Sequence, residues 1–225
     1  MPICGVELAP QSGFSAGMTR PPAAPGRHAP ATARNREPIL TVLALILPSR
    51  GLLLEISSGT GEHAAFMAPR LPAGLDWQPS DLDPANLADI DAHARASRCG
   101  RIRPAVVLDT TAPRWPVAAA DAMLCCNMIH IAPWTAAEGL FAGAARTLPS
   151  GAPLVLYGPY RRDAAHTAPS NADFDAWLQA RNPAWGVRCL DSEVRPLAAR
   201  HGFRRESVTE MPANNLTVVF RRDAA

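Results

Sequence analysis

Apolar positions along the chain fall into short runs separated by stretches with helical spacing. Residues 36–47 predict a helix, with Pro38 in its first turn. A compact apolar run over 52–56 predicts a strand. It is followed by a turn of small residues, 57–61, and a helix to about Pro69. A second strand ends near 79–81, and 84–98 reads as a helix with Asp83 as N-cap and Pro84 at the first helical position. Residues 105–109 predict a third strand, and the unbroken apolar run 122–128 a fourth, covered on both faces. Thr135 and Glu138 have capping-box spacing at the start of a helix over 135–148, and 154–157 predicts a fifth strand. Strands alternating with helices predict βαβ units, a parallel sheet and helices on both of its faces.

The last fifty residues depart from that rhythm. Helical stretches near 171–181 and 192–201 precede two strand-like runs, 203–210 and 216–221. Residues 211–215 alone join these runs, so they pair as an antiparallel hairpin; a parallel crossover needs about a dozen residues or more. The expected fold class is therefore α/β, a mostly parallel seven-stranded sheet finished by a C-terminal antiparallel hairpin.

Composition narrows the functional classes. Residues 1–32 carry Pro21, Pro22, Pro25 and Pro30 among Gly, Ala and Ser without periodicity, and are expected to be a disordered leader, with Met18 an alternative start. Residues 33–225 then form one domain. All 22 basic residues are arginine, which excludes Schiff-base and P-loop lysine chemistry. Residues 1–36 hold four Arg against Glu7, a charge of +3; the remainder holds 18 Arg and 19 acids, a charge of −1. A near-neutral body carries no strong nucleic-acid signal. The longest apolar-rich run, 39–47, is too short to cross a membrane, and the first thirty residues lack the pattern of a secretory signal. Five cysteines form no CxxC pair; buried thiols in a reducing, cytoplasmic setting are expected. His28, His93 and His201 have no companions at ligand spacing, so no metal is expected.

The most informative stretch runs from Leu52 to Ala64, a strand entering a tight turn of small residues and then a helix. Two nucleotide-type cofactors compete for it. Gly59-x-Gly61-x-x-Ala64 matches the dinucleotide fingerprint, and Asp81 lies about twenty residues on, where an NAD ribose acid belongs. The other candidate is S-adenosylmethionine (SAM), for which Glu55 at the strand's end is the distinctive residue. SAM carries a cationic sulfonium and an ammonium group, whereas NAD carries a pyrophosphate. Acids within the turn, Glu55 and Glu62, attract the first and repel the second.

Glu55-x-Ser57-x-Gly59-x-Gly61 resembles motif I of the class I SAM-dependent methyltransferases, with Ser57 where the first glycine usually stands. The resemblance implies a Rossmann-like, doubly wound fold. It places Glu55, Ser57, Gly59, Gly61 and Asn127 around SAM, Asp81 on the ribose and Asp109 beside the adenine. A narrower resemblance spans 34–222. Its markers include Arg34-Asn35-Arg36-Glu37-Pro38, Trp77-Gln78-Pro79-Ser80-Asp81 and Asn127-Met128-Ile129-His130-Ile131-Ala132-Pro133-Trp134. They continue with Tyr157-Gly158-Pro159-Tyr160, Ser170-Asn171, Phe174-Asp175 and Met211-Pro212-Ala213-Asn214-Asn215. Together they resemble the domain-of-unknown-function 938 family, the methyltransferase-like protein 26 type, which implies SAM binding without naming a substrate.

Ligands of open α/β sheets bind beyond the carboxyl ends of the strands. The loop after the fourth strand offers Asn127 and His130, the latter either a general base or a backbone-bonded histidine. Trp134 is read as packing. The long polar loop after the fifth strand offers Tyr160 and His166 as substrate contacts, with Arg161 and Arg162 for an anionic group or as a solvated edge. Asn214 and Asn215 reach the pocket or form the hairpin turn, and Arg34, Asn35 and Arg36 cover the site from the first helix. The expected reaction is methyl transfer from SAM to a small-molecule acceptor. An NAD-dependent oxidoreductase and a non-catalytic SAM-binding interaction module stand as alternatives.

Overall fold

A computed structural model describes residues 27–224 of the chain. The leader and Met18 readings concern residues that lie largely outside that range. Strand β1 (Arg50–Ile56) is an interior strand of a seven-stranded sheet. It pairs in parallel with β2 (Gly74–Asp81) on one side and β4 (Ala122–Cys126) on the other. The short β3 (Val106–Val107) lies outside β2, and β5 (Pro153–Pro159) pairs in parallel with β4. The final strands, β8 (Phe203–Met211) and β9 (Asn215–Arg222), form the expected hairpin, and β9 runs antiparallel beside β5. The spatial order is β3-β2-β1-β4-β5-β9-β8. The first parallel strands order outward from β1 in both directions, which opens a crevice beyond the carboxyl ends of β1 and β4.

The apolar strands divide their side chains between two cores, as the period of two requires. Leu53, Leu124, Val155 and Val219 face one side, with Ile39 and Leu43 of α1 (Pro30–Ile46) and Met67 of α2 (Glu62–Met67). Leu54, Met123, Leu156 and Phe220 face the other, under Leu140 and Phe141 of α4 (Trp134–Thr147) and Leu197 of α6 (Arg195–Arg200). Helix α3 (Pro84–Ala96) begins as expected: the Asp83 side chain accepts from the Ala85 N–H at 2.9 Å.

Several local expectations are corrected. Helix α1 starts at Pro30, so Pro38 lies in its interior, where it removes the donor that would bond the Arg34 carbonyl. Strand β4 stops at Cys126 because Asn127 turns left-handed (φ 61°) and the chain enters a short 3-10 turn, Met128–His130. No capping box forms on α4: the helix begins at Trp134, which leaves Thr135 inside its first turn. The polar segment after β5 is a small hairpin, β6 (Arg161–Arg162) with β7 (Ala165–His166), followed by α5 (Pro169–Arg181). No helix among the described residues is long and apolar enough to cross a membrane.

Candidate functional site

The turn after β1 is bound tightly to β2. The Ser58 N–H donates to the Ser80 carbonyl at 2.8 Å, the Gly59 N–H donates to Asp81 Oδ2 at 2.8 Å, and the Gly61 N–H donates to the Ser58 carbonyl at 2.9 Å. Asp81 also accepts from the Asp83 N–H and from the Asn86 amide through Oδ1. Its carboxylate therefore takes up the Gly59 N–H of the turn.

The two glycines serve different ends. Both are left-handed, at φ 60° and 82°. A Cβ on Gly59 would meet nothing within 4 Å, whereas one on Gly61 would lie 2.6 Å from Ile90 Cα. Gly59 thus faces open space on the crevice side, and Gly61 lets α2 pack against α3. Ser57, where a glycine is usual, also adopts φ 59° and bears the strain of a Cβ in that region.

Glu55 lies beneath the turn rather than in the open crevice, 1% exposed. Its Oε2 accepts from Ser58 Oγ at 2.8 Å and from the Trp77 indole N–H at 3.0 Å. Burial pushes its carboxyl up to about 7 against the pull of those two donors. His63 stands 3.9 Å from its Oε1 and is pushed down to about 4 by burial, so it is neutral. His63 Nε2–H donates to Asn35 Oδ1 at 2.8 Å. His63 thus links the region beneath the turn to α1. Asp109, after β3, is exposed and accepts from the Thr111 N–H and hydroxyl. Leu82, directly after Asp81, is 61% exposed and offers an apolar surface on the same rim.

A cleft of about 520 Å³ opens at the carboxyl ends of β4 and β5. Arg34, Asn35, Asn127, Ile131, Tyr157, Pro159, Asn171, Phe174, Trp177 and the Pro212–Asn215 turn all contribute to its lining. Phe174 and Trp177, one helical turn apart on α5, stack with centroids 5.7 Å apart and planes at 22°. Asn171 ties α5 to the β8–β9 turn by donating to the Asn214 carbonyl at 3.0 Å, which gives Asn214 a structural place and leaves Asn215 on the cleft wall.

The expected acid-base residues fall elsewhere, apart from Asn127. His130 is fully buried; its Nδ1 accepts from the Arg188 N–H at 3.2 Å, and burial pushes it down to about 3. It is the backbone-bonded histidine of the two readings, because the left-handed Asn127 turns the chain back into the core. Tyr160 is also fully buried, edge-on to His130 at 4.9 Å, and burial holds its hydroxyl well above the usual range. His166 pairs with Asp175 at 3.3 Å behind α5 and is not among the lining residues. Arg161 and Arg162 bond to Glu193 at 2.9 Å and Asp191 at 2.7 Å, so both cations are already matched. Arg36 stacks over Phe66 at 4.2 Å, and Trp134 packs against the core, as read. Arg34 alone of the four candidate arginines lines the cleft.

One reading of the histidines is also corrected. His28, Glu62 and His93 converge, their ligand-type atoms within 4.8 Å of one another. They come from the segment before α1, from α2 and from α3, so no sequence spacing shows it. His28 Nδ1–H donates to Glu62 Oε1 at 2.9 Å and His93 Nε2–H to the Arg27 carbonyl at 2.9 Å. Glu62 also accepts from the Ala29 N–H at 2.7 Å, and these bonds pin residues 27–29 against α2 and α3.

The sheet order, with β9 reversed, belongs to a Rossmann-like fold that solved methyltransferase structures share. An O-methyltransferase family protein from Burkholderia thailandensis superposes with a TM-score of 0.72 at 18% identity, covering 87% of this chain and 58% of that one. Mitomycin 7-O-methyltransferase superposes with a TM-score of 0.72 at 16% identity, covering 85% of this chain and 54% of that one. An O-methyltransferase from neocarzinostatin biosynthesis, solved with SAM and 2-hydroxy-5-methyl naphthoic acid, gives 0.69 at 15%, covering 85% and 54%. The chain spans little more than half the length of these structures, and the likeness is one of fold. The family model described as protein of unknown function (DUF938) matches residues 26–222, and the chain belongs to that family.

Proposed function

We propose that the protein is a SAM-dependent methyltransferase acting on a small-molecule acceptor held in the cleft beside Tyr157 and α5. The observation that carries this reading is the Asp81 carboxylate seated on the Gly59 N–H. A pyrophosphate at that turn would lose the amide and meet the negative charge of Asp81, whereas a cationic sulfonium ligand gains from the same charge. This favours SAM over NAD, although Gly59-x-Gly61-x-x-Ala64 fits the dinucleotide pattern.

In this reading SAM supplies the methyl group as a sulfonium, and the protein supplies alignment. Gly59 admits the ligand against the backbone. Asp81 Oδ2 accepts one bond within the protein and keeps a lone pair for a ribose hydroxyl. Leu82 and Asp109 would contact the adenine. Asn127, at the end of β4, lies between cofactor rim and cleft. Glu55 shapes the turn from beneath, through Ser58 and Trp77, instead of touching the ligand. The four described cysteines are unpaired thiols, in keeping with a cytoplasmic setting.

Incubation of the purified protein with methyl-labelled SAM and a cell extract tests this reading. Label in a low-molecular-weight product supports it; label confined to macromolecules, or none above a heat-killed control, contradicts it. The second outcome favours the non-catalytic SAM-binding alternative.

A further inference from the structure

The chemistry of the cleft narrows the acceptor. Among the described residues, Arg34 is the one charged side chain in its lining; no carboxylate, histidine or thiol joins it. The guanidinium is always protonated at neutral pH and offers a planar fork to an oxyanion. Beside neutral polar groups such as Asn127 and Asn171, the lining carries the apolar Phe174, Trp177 and Ile131; Trp177 is 47% and Ile131 40% exposed. Exposed large apolar groups gathered in a concave site mark a binding surface. The Arg181 guanidinium lies over the Trp177 ring, 3.6 Å from its centroid.

Tyr157 lines the same cleft as Arg34. Burial raises the Tyr157 hydroxyl above its usual range, so it remains a donor and is no base. Arg34 and Tyr157 can therefore both donate to the ligand, and no carboxylate, histidine or thiol among the lining residues is there to take its proton.

We infer that the acceptor is an aromatic oxyanion, an aryl carboxylate or acidic phenol, stacked against Phe174 and Trp177 and charge-matched by Arg34, which attacks SAM already ionised. This rests on the methyltransferase reading above. The acceptor gives up its proton to water before binding. Its oxygen lone pair forms the new O–CH3 bond as the S–CH3 bond breaks and that electron pair stays on sulfur. The products are a neutral aryl methyl ester or ether and neutral S-adenosylhomocysteine. A cationic amine acceptor fits poorly, because it meets Arg34 and finds no base.

The test is calorimetric titration of the full chain, saturated with S-adenosylhomocysteine, with three probes of one shape: 2-naphthoate, 2-naphthalenemethanol and 2-naphthylmethylamine. Naphthoate should bind at least tenfold more tightly than either other probe. Arg34→Gln should remove that preference while leaving SAM affinity, measured separately, within threefold. Equal or tighter binding of the amine, or no saturable binding of any probe, overturns the proposal. So does an Arg34→Gln protein that loses SAM affinity and keeps the probe preference, since Arg34 would then hold the carboxylate of the cofactor. Failure of the wild-type protein to bind SAM would instead remove the methyltransferase reading on which the inference stands.

Discussion

Replacing Gly59 and Gly61 by alanine, one at a time, separates ligand binding from helix packing. Both residues are left-handed, so each alanine costs about 1 kcal/mol of backbone strain. At Gly59 that is the whole cost to the fold, because the new Cβ meets no protein atom within 4 Å. For a domain of this size it amounts to a fall in Tm of about 2–4 °C. The methyl does, however, occupy the space through which a ligand would approach the turn, and SAM affinity should fall at least about tenfold, or about 1.4 kcal/mol. At Gly61 the Cβ would lie 2.6 Å from Ile90 Cα and 3.0 Å from Ile90 Cβ. Relieving that overlap moves α2 away from α3 and adds about 1–3 kcal/mol, so Tm should fall by roughly twice as much or more. Thermal denaturation and SAM titration on both variants provide the readout. A Gly59→Ala protein with wild-type SAM affinity, or equal thermal losses in the two variants, refutes the division of labour.

Other consequences are as direct. Ser57→Gly relieves the φ 59° strain and should stabilise the protein by about 0.5–1 kcal/mol; an unchanged or lower urea midpoint counts against that. Asp81→Ala removes the partner of the Gly59 N–H, and SAM affinity should drop at least tenfold; retention of full affinity contradicts the ribose assignment. Stability should fall on acidification below about pH 6.5. His63 and His130, held at about 4 and about 3 from an ordinary 6.5, gain protons only on unfolding in that window. Glu55, raised to about 7 from 4.5, opposes them, since its stabilising proton is lost as pH rises through the same range. Two histidines against one glutamate leave a net loss of about 2 kcal/mol between pH 6.5 and 5; a flat denaturation profile there argues against the buried neutral histidines.

The repeating units were legible in the chain because strands buried on both faces and helix starts such as Asp83-Pro84 are local signals. The hairpin followed from its short connection, and Gly59, Gly61 and Asp81 lie together as the turn pattern implied. What stayed hidden depended on side-chain direction and distant partners. His130 and Tyr160 follow strands that end at the ligand edge, yet a left-handed Asn127 and the β6–β7 hairpin carry both rings into the core. Arg161 and Arg162 look free until Glu193 and Asp191 return about thirty residues later to pair with them. The cleft draws on five separated segments, from Arg34 to Asn215, so no single motif outlines it. Phe174 and Trp177 had a readable signal, two aromatics one turn apart on a helix, but that spacing reads equally as core.

The central claim is that the turn after β1 is built for a cationic sulfonium nucleoside and not for a dinucleotide. Titration of the purified protein with SAM and, in parallel, with NAD decides it. The structure predicts one saturable SAM site in the micromolar range or tighter and no measurable heat with NAD. Saturable binding of NAD without binding of SAM would contradict the account.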